Sequence, residues 1–421
     1  MQTPTVAATD LASAADVTMS SRAFGRVPAL DGLRGIAILL VLAHHFALYT
    51  LEPPSADAWW KPIFTLAEFG WVGVDLFFVL SGFLITTILW RAKEREHFFR
   101  DFYARRALRI FPLYFGCLVL FTGVLPWLAP ENLRLQAWAQ QSAWYWSYTV
   151  NFLLARNNDW SASSGQGLEH FWSLAVEEQF YLLWPMAVYR LRRRALILTT
   201  VGCGLVSIGL RLALLTSGHA MAAYVLMPAR MDALAAGALV ALLATKPGLL
   251  RRLRTHAALV GAVAAIALMY LLLTRGAFWG DVTVETIGFA CIAAASAAIL
   301  VGALTFDPLS RICEIRVLRF FGQYSYGLYV LHHPLLLLLP ATAVTTMFLG
   351  YVDSTVAARA LAVVSLGGLS IAAAIASWHL WERPFLRMQV RFRGRGDGTE
   401  RVGDAHVATT RTKLDSQPQR G

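Results

Sequence analysis

The chain has 421 residues, 57% of them hydrophobic and 15% charged, with a positive mean hydropathy and a net charge of +11. A soluble domain of this length interrupts its apolar runs every few residues, whereas these runs are long enough to cross a hydrocarbon core of roughly 30 Å, which takes about 20 helical residues. A crossing segment must satisfy its own backbone, so the composition excludes an ordinary soluble domain and the runs read as helices.

In chain order, residues 1–28 are rich in Ala, Thr and Ser, without an apolar core or cleavage signal, and read as a disordered cytoplasmic tail. Ten apolar segments follow at about 33–51, 70–90, 108–129, 174–190, 196–215, 230–245, 257–273, 284–305, 324–346 and 358–381. Residues 387–421 are polar and basic and read as a second disordered tail, leaving 29–386 as the membrane domain.

The stretch 143–155 is short for a crossing and rich in aromatics (Trp144, Tyr145, Trp146, Tyr148). Loop charge decides how to treat it. With ten spans and the amino terminus inside, 29 of the 37 Lys and Arg residues fall in inner loops and tails. The outer loops then hold only Lys61, Arg134, Arg156 and Arg275, as the positive-inside rule requires. Counting 143–155 as a span inverts every later loop, so it reads as a re-entrant or interfacial piece. The expected fold is an all-α polytopic membrane bundle of about ten helices with both termini cytoplasmic. On the same ground the excess of positive charge is topological, and nucleic acid is not an expected partner.

Cys117, Cys203, Cys291 and Cys313 are scattered, with no metal-ligand spacing, and no nucleotide-binding glycine fingerprint or fixed-period repeat is present. No soluble catalytic domain is recognised, so chemistry is expected from the membrane helices, where each ionisable residue is expensive and marks a candidate site. In the first span Arg34 and His45 are eleven residues apart, about 20° past three turns, so they share a face roughly 16 Å apart along the axis; His44 points about 100° away. Asp75, near the outer end of the second span, lies at a depth where it could orient the His45 imidazole. Ser81 and Gly82 suit close helix packing. Arg106 and Arg109, three apart at the inner edge of the third span, offer guanidinium forks to a phosphorylated ligand. The fourth span carries adjacent Glu177 and Glu178 in its outer part, only one of which can face a given partner. Arg230 and Asp232, then Tyr326, Tyr329 and His332, then Trp378, Glu382 and Arg383 complete the set.

Together these segments resemble acyltransferase family 3, the bacterial membrane O-acyltransferases. LDGLRGIAILLVLAHHF carries an Arg followed by a His eleven positions on (Arg34, His45). GWVGVDLFFVLSGFLIT, the Arg-x-x-Arg of RRALRIFP, FWSLAVEEQFYLLWP, RMDALAAGAL, SYGLYVLHHPL and WERPF follow in order over about residues 29–386. His44 stands where the family usually has a bulky aromatic or apolar residue, so the assignment to His45 rests on spacing. The extracytoplasmic hydrolase-like domain of some members is not found in the sequence.

The resemblance implies an acyl-CoA co-substrate, with an acetyl or short acyl group, approaching from the cytoplasm. It implies no bound cofactor and no metal. The acceptor would be a hydroxyl on a carbohydrate, glycolipid, peptidoglycan sugar or secondary metabolite, and the location the inner membrane of a bacterium. Arg34, Arg106 and Arg109 would take the CoA phosphates. His45 would be the general base, with Asp75, Glu177 or Glu178 stabilising its imidazolium, and Arg230, Tyr326 and His332 would bind substrate. Direct transfer and a route through an acyl-His intermediate both remain open. The rival reading is a secondary transporter or flippase using the buried charges as a pathway, although inverted-repeat symmetry and paired broken helices are not found.

Overall fold

The computed structural model describes residues 27–51, 60–160, 167–276 and 280–392. The tails expected over 1–28 and 387–421 lie largely outside these; of the second, 387–392 is described and continues the last helix. We label the long helices α1 (Pro28–Thr50), α2 (Lys61–Ala92), α3 (Phe98–Leu128), α4 (Trp172–Arg190), α5 (Arg193–Thr216), α6 (Ala220–Ala244), α7 (Leu249–Arg275), α8 (Val284–Thr305), α9 (Arg316–Leu338) and α10 (Thr355–Phe392). No strand occurs among the described residues.

Eight of these (α1, α2, α3, α5, α6, α7, α8 and α10) are long and apolar enough to cross a membrane. Helix α9 joins them only together with Ala341–Leu349, from which it is bent by 68°. The remaining predicted span, α4, is a continuous helix of 19 residues, but the polar run Glu177-Glu178-Gln179 holds its apolarity below that of the others. The stretch 143–155 forms no spanning helix. It folds as Ser142–Trp146 and Val150–Asn157, joined through Tyr148 at φ 54°.

Two glycine-notched contacts build the centre. A Cβ on Gly322 of α9 would stand 1.7 Å from the Asp31 carbonyl oxygen, and one on Gly35 of α1 would stand 1.9 Å from that of Leu318. Helices α2 and α6 approach in the same way, Gly82 against Leu234 and Gly237 against Val79. Association in a bilayer relies on such close backbone approach, because lipid tails are as apolar as leucine. Helix α7 lies at the periphery, with only 11% of its most apolar window buried, and presents its side chains outward.

Candidate active site

Two adjoining cavities occupy the bundle interior. The first, of about 110 Å³, is lined by Arg34 of α1, Ser81 of α2, Arg106 and Arg109 of α3, Ser173, Glu177, Glu178 and Tyr181 of α4, and Tyr326 and Tyr329 of α9. Arg106 and Arg109 share it because positions three apart in a helix lie on one face. Helix α3 is fixed at this level by its neighbours. Tyr326 donates to the Ile110 carbonyl at 2.6 Å, and the Trp381 indole of α10 donates to that of Pro112 at 2.8 Å. Arg34 is 3.6 Å from Asp31, one turn earlier in α1. The Arg106 guanidinium lies 5.8 Å from the centre of the Tyr181 ring, and the Tyr181 and Ser81 hydroxyls bond to each other. Three guanidiniums against two glutamates leave the lining positive when both carboxylates are ionised. A forked, cationic surface of this kind is built to hold phosphate or carboxylate oxygens.

The second cavity, of about 210 Å³, is lined by His44, His45 and Tyr49 of α1, Trp71 of α2, Trp160, the turn Glu169–Phe171 through Glu169 and His170, Trp172 of α4, Tyr224 of α6 and His333 of α9. His45 packs among its histidines. Its ring is 4.9 Å from that of His333 and 5.0 Å from that of His332, and His170 is 4.9 Å from His333. Backbone carbonyls anchor the neighbours: His44 Nδ1 donates to Glu68 at 2.6 Å and His333 Nδ1 to Gly167 at 2.9 Å. Burial first, then the imidazoles of His333 and His332, lower the His170 imidazole from its ordinary range. Among the described residues no group of three or more His, Cys, Asp or Glu side chains is arranged to hold a metal ion.

Val74 and Tyr329 line both cavities and form the partition between them. The Tyr329 and Ser173 hydroxyls are 2.5 Å apart, and both reach the His170 carbonyl, at 3.0 and 3.1 Å.

The predicted site residues separate into three places. Arg34, Arg106, Arg109, Glu177, Glu178 and Tyr326 line the first cavity and His45 lines the second. Asp75, Arg230 and His332 line neither.

Four expectations need correction. Asp75 does not serve His45: it accepts from Arg230 Nη2 at 2.6 Å and is 1% exposed, facing Arg230, Arg211 and Asp232. The titratable groups that face His45 include His333, His332, His44 and His170, together with the stacked ring of Tyr49. The reason is the face, not the depth. Asp75 is seven residues before Gly82, about 20° short of two turns, and so shares the stripe that packs on α6.

Arg230, expected to bind substrate, lies instead in a buried ion-pair layer. It is fully buried, with its guanidinium 4.1 Å from the centre of the Phe289 ring, and the adjoining pair Arg211–Asp232 closes at 2.6 Å. These pairs hold α2, α5 and α6 together.

Glu177 and Glu178 do not join His45 either. Glu177 faces Ser81, Arg106, Arg34 and Tyr181, and Glu178 faces Glu177 and Arg106. Helix α4 begins inside the bundle, with Glu169 and His170 each 4% exposed, so its second turn already reaches the arginine level. Finally, His332 lies behind His45 instead of on a cavity wall, at 0% exposure.

Sequence reasoning missed His170, His333 and Tyr181, and assigned Ser81 to packing alone. The His-His pair before Pro334 and the His170 that precedes the α4 aromatic run were the available signals.

An integral membrane helix bundle with a buried, two-chambered polar site defines the class of protein. The chain belongs to the acyltransferase 3 family: the family model, described as an acyltransferase domain, matches residues 27–379. It is similar to the O-acetyltransferase OatA of Staphylococcus aureus (strain NCTC 8325 / PS 47), 28% identical over 333 residues, covering 74% of this chain and 50% of the relative. The peptidoglycan O-acetyltransferase OatA of Listeria monocytogenes serovar 1/2a matches at the same identity, length and coverage. The chain thus spans about half the length of the curated relatives it matches. No solved structure matches it.

Proposed function

We propose that the protein is a bacterial inner-membrane O-acyltransferase. It moves an acyl group from a coenzyme A thioester, held at the arginine cavity, to a hydroxyl bound in the histidine cavity. The observation that carries this reading is the adjacency of the two chambers across Val74 and Tyr329. The cationic chamber suits the anionic end of the donor. The second chamber offers imidazole beside the aromatic faces of Trp71, Trp160 and Trp172. By helical rise Arg34 and His45 are about 16 Å apart along α1, so the donor's arm must cross the partition for its thioester to reach His45. In this reading the arginine-rich end faces the cytoplasm, consistent with the loop charges.

A hydroxyl is a poor nucleophile at neutral pH, and His45 answers that difficulty. As the acceptor oxygen attacks the thioester carbon, its proton passes to the imidazole. The tetrahedral oxyanion then collapses, the C–S bond breaks, and the departing thiolate takes the proton. A route in which His45 is itself acylated and then attacked by the hydroxyl conserves the same atoms. The family membership favours acyl transfer over transport, and two sets of the buried charges are closed as the pairs Asp75–Arg230 and Asp232–Arg211.

The relatives' names make an acetyl group and peptidoglycan hydroxyls the first donor and acceptor to try. Purified protein in nanodiscs, given labelled acetyl-CoA, should release CoA in proportion to acylated acceptor. His45→Ala should lower turnover by about 10³-fold, within the usual range for a lost general base, while donor affinity is unchanged. Unaltered turnover in folded His45→Ala protein would remove His45 from the chemistry. Acceptor-independent binding without CoA release, across a panel of sugars and glycolipids, would favour transport.

A further inference from the structure

The hydrogen bonds behind His45 form an ordered chain. His332 Nδ1 lies 2.8 Å from the Leu328 carbonyl and 3.0 Å from that of Tyr329. A carbonyl only accepts, so His332 carries a proton on Nδ1, and its neutral form has a bare Nε2. That Nε2 is 3.3 Å from His45 Nδ1, which is also 3.0 Å from the Val41 carbonyl. Both partners of His45 Nδ1 are acceptors, which assigns its proton to Nδ1. The lone pair then sits on Nε2, at the opposite edge of the ring from the buried Val41 and His332 contacts.

We propose that His332 is a positioning residue that holds His45 in the Nδ1–H tautomer and receives the hydrogen bond that strengthens as His45 takes a proton. The inference rests on the reading of His45 as the base. It replaces the carboxylate expected from sequence with a neutral acceptor. A second ionised group inside the bundle would need its own counter-charge, whereas a neutral imidazole backed by two carbonyls is satisfied without one. A base locked in the wrong tautomer presents N–H to the hydroxyl it should deprotonate, so a tautomer-fixing partner acts on the chemical step and leaves ligand binding alone.

Two substitutions separate this role from packing. His332→Asn keeps an amide donor for the carbonyls of Leu328 and Tyr329 and removes the acceptor; His332→Gln restores an acceptor near the Nε2 position. Turnover of His332→Asn should fall about 10- to 100-fold, the range for lost second-layer partners, with KM for both substrates unchanged. His332→Gln should recover most of that loss. Independently of activity, ¹⁵N spectra of histidine-labelled protein in nanodiscs, with the His45 signal assigned by its loss in His45→Ala, should show a protonated Nδ1 and a bare Nε2. In His332→Asn the Nδ1 signal should shift and the Nε2–H population rise. A wild-type His45 protonated on Nε2, or an unchanged His45 spectrum in folded His332→Asn, overturns the proposal. So does equal loss in the Asn and Gln variants. Because the spectra need no turnover, they remain decisive even if the acyl-transfer reading fails; inactivity across all acceptors with the expected spectra would fault that reading alone.

Discussion

The bundle contains two kinds of buried charge, and they are handled in opposite ways. Between α2, α5 and α6, Asp75–Arg230 and Asp232–Arg211 are closed ion pairs at 2.6 Å, packed against Phe289 and lining neither of the two cavities. Around the arginine cavity, Arg34, Arg106 and Arg109 face open space together with Glu177 and Glu178. In the first region each guanidinium meets a carboxylate directly, and the buried Glu285 faces both arginines. In the second, cationic surface is left for an incoming anion. Charge within a membrane therefore does not by itself mark a site; charge that lines a cavity does.

The sharpest way to break this distinction is to remove one partner from a closed pair. Arg230→Met leaves the buried Asp75 carboxylate without its hydrogen-bonded partner and should destabilise the protein by about 3–5 kcal/mol, read as a lower melting temperature and poor recovery from detergent. The double variant Asp75→Leu/Arg230→Met replaces the pair with apolar groups and should regain most of that stability, along with turnover. A well-folded double variant without turnover would return Asp75 to the active site.

The contrast also explains what could be read from the sequence. Hydropathy and loop charge defined the helices, because a lipid environment imposes length and apolarity on each span. Composition could also have warned that Glu177-Glu178-Gln179 makes α4 the least apolar of the long segments. The one-dimensional depth of Asp75 suited a partner of His45, but depth carries no information about which neighbour a face meets. The seven-residue spacing from Asp75 to Gly82, repeated from Arg230 to Gly237, held that information, since each glycine marks a contact face between α2 and α6. Nothing comparable announced the histidine cluster. His44 and His45, His170, and His332 and His333 come from three separated segments, and only the packing of α1, α9 and the turn before α4 brings them together.

At the open site the expected effects are smaller and fall on binding. Arg106→Gln removes a charged fork from the lining while its neighbours Tyr181, Arg34 and Arg109 remain. A hydrogen bond to a charged group contributes about 1.5–3 kcal/mol, so KM for acyl-CoA should rise about 10- to 100-fold with little change in acceptor KM. Kinetics with each substrate varied in turn would show it. A rise confined to acceptor KM would reverse the assignment of donor and acceptor to the two cavities.

The smallest effect belongs to the partition. Tyr329→Phe keeps the ring between the cavities but removes the hydroxyl that bonds Ser173 and the His170 carbonyl. A single neutral hydrogen bond is worth about 1 kcal/mol net, so the barrier between the chambers should weaken by about 5-fold and no more. If the partition keeps the thioester from water until an acceptor is bound, CoA release without acceptor should rise by about that factor relative to acyl transfer, while the melting temperature stays nearly constant. Ser173→Ala removes the other hydroxyl of the same bond, and the two changes should not add in the double variant. Additive effects would mean that the two hydroxyls act separately, and the chambers would then be divided by the Val74 and Tyr329 side chains alone.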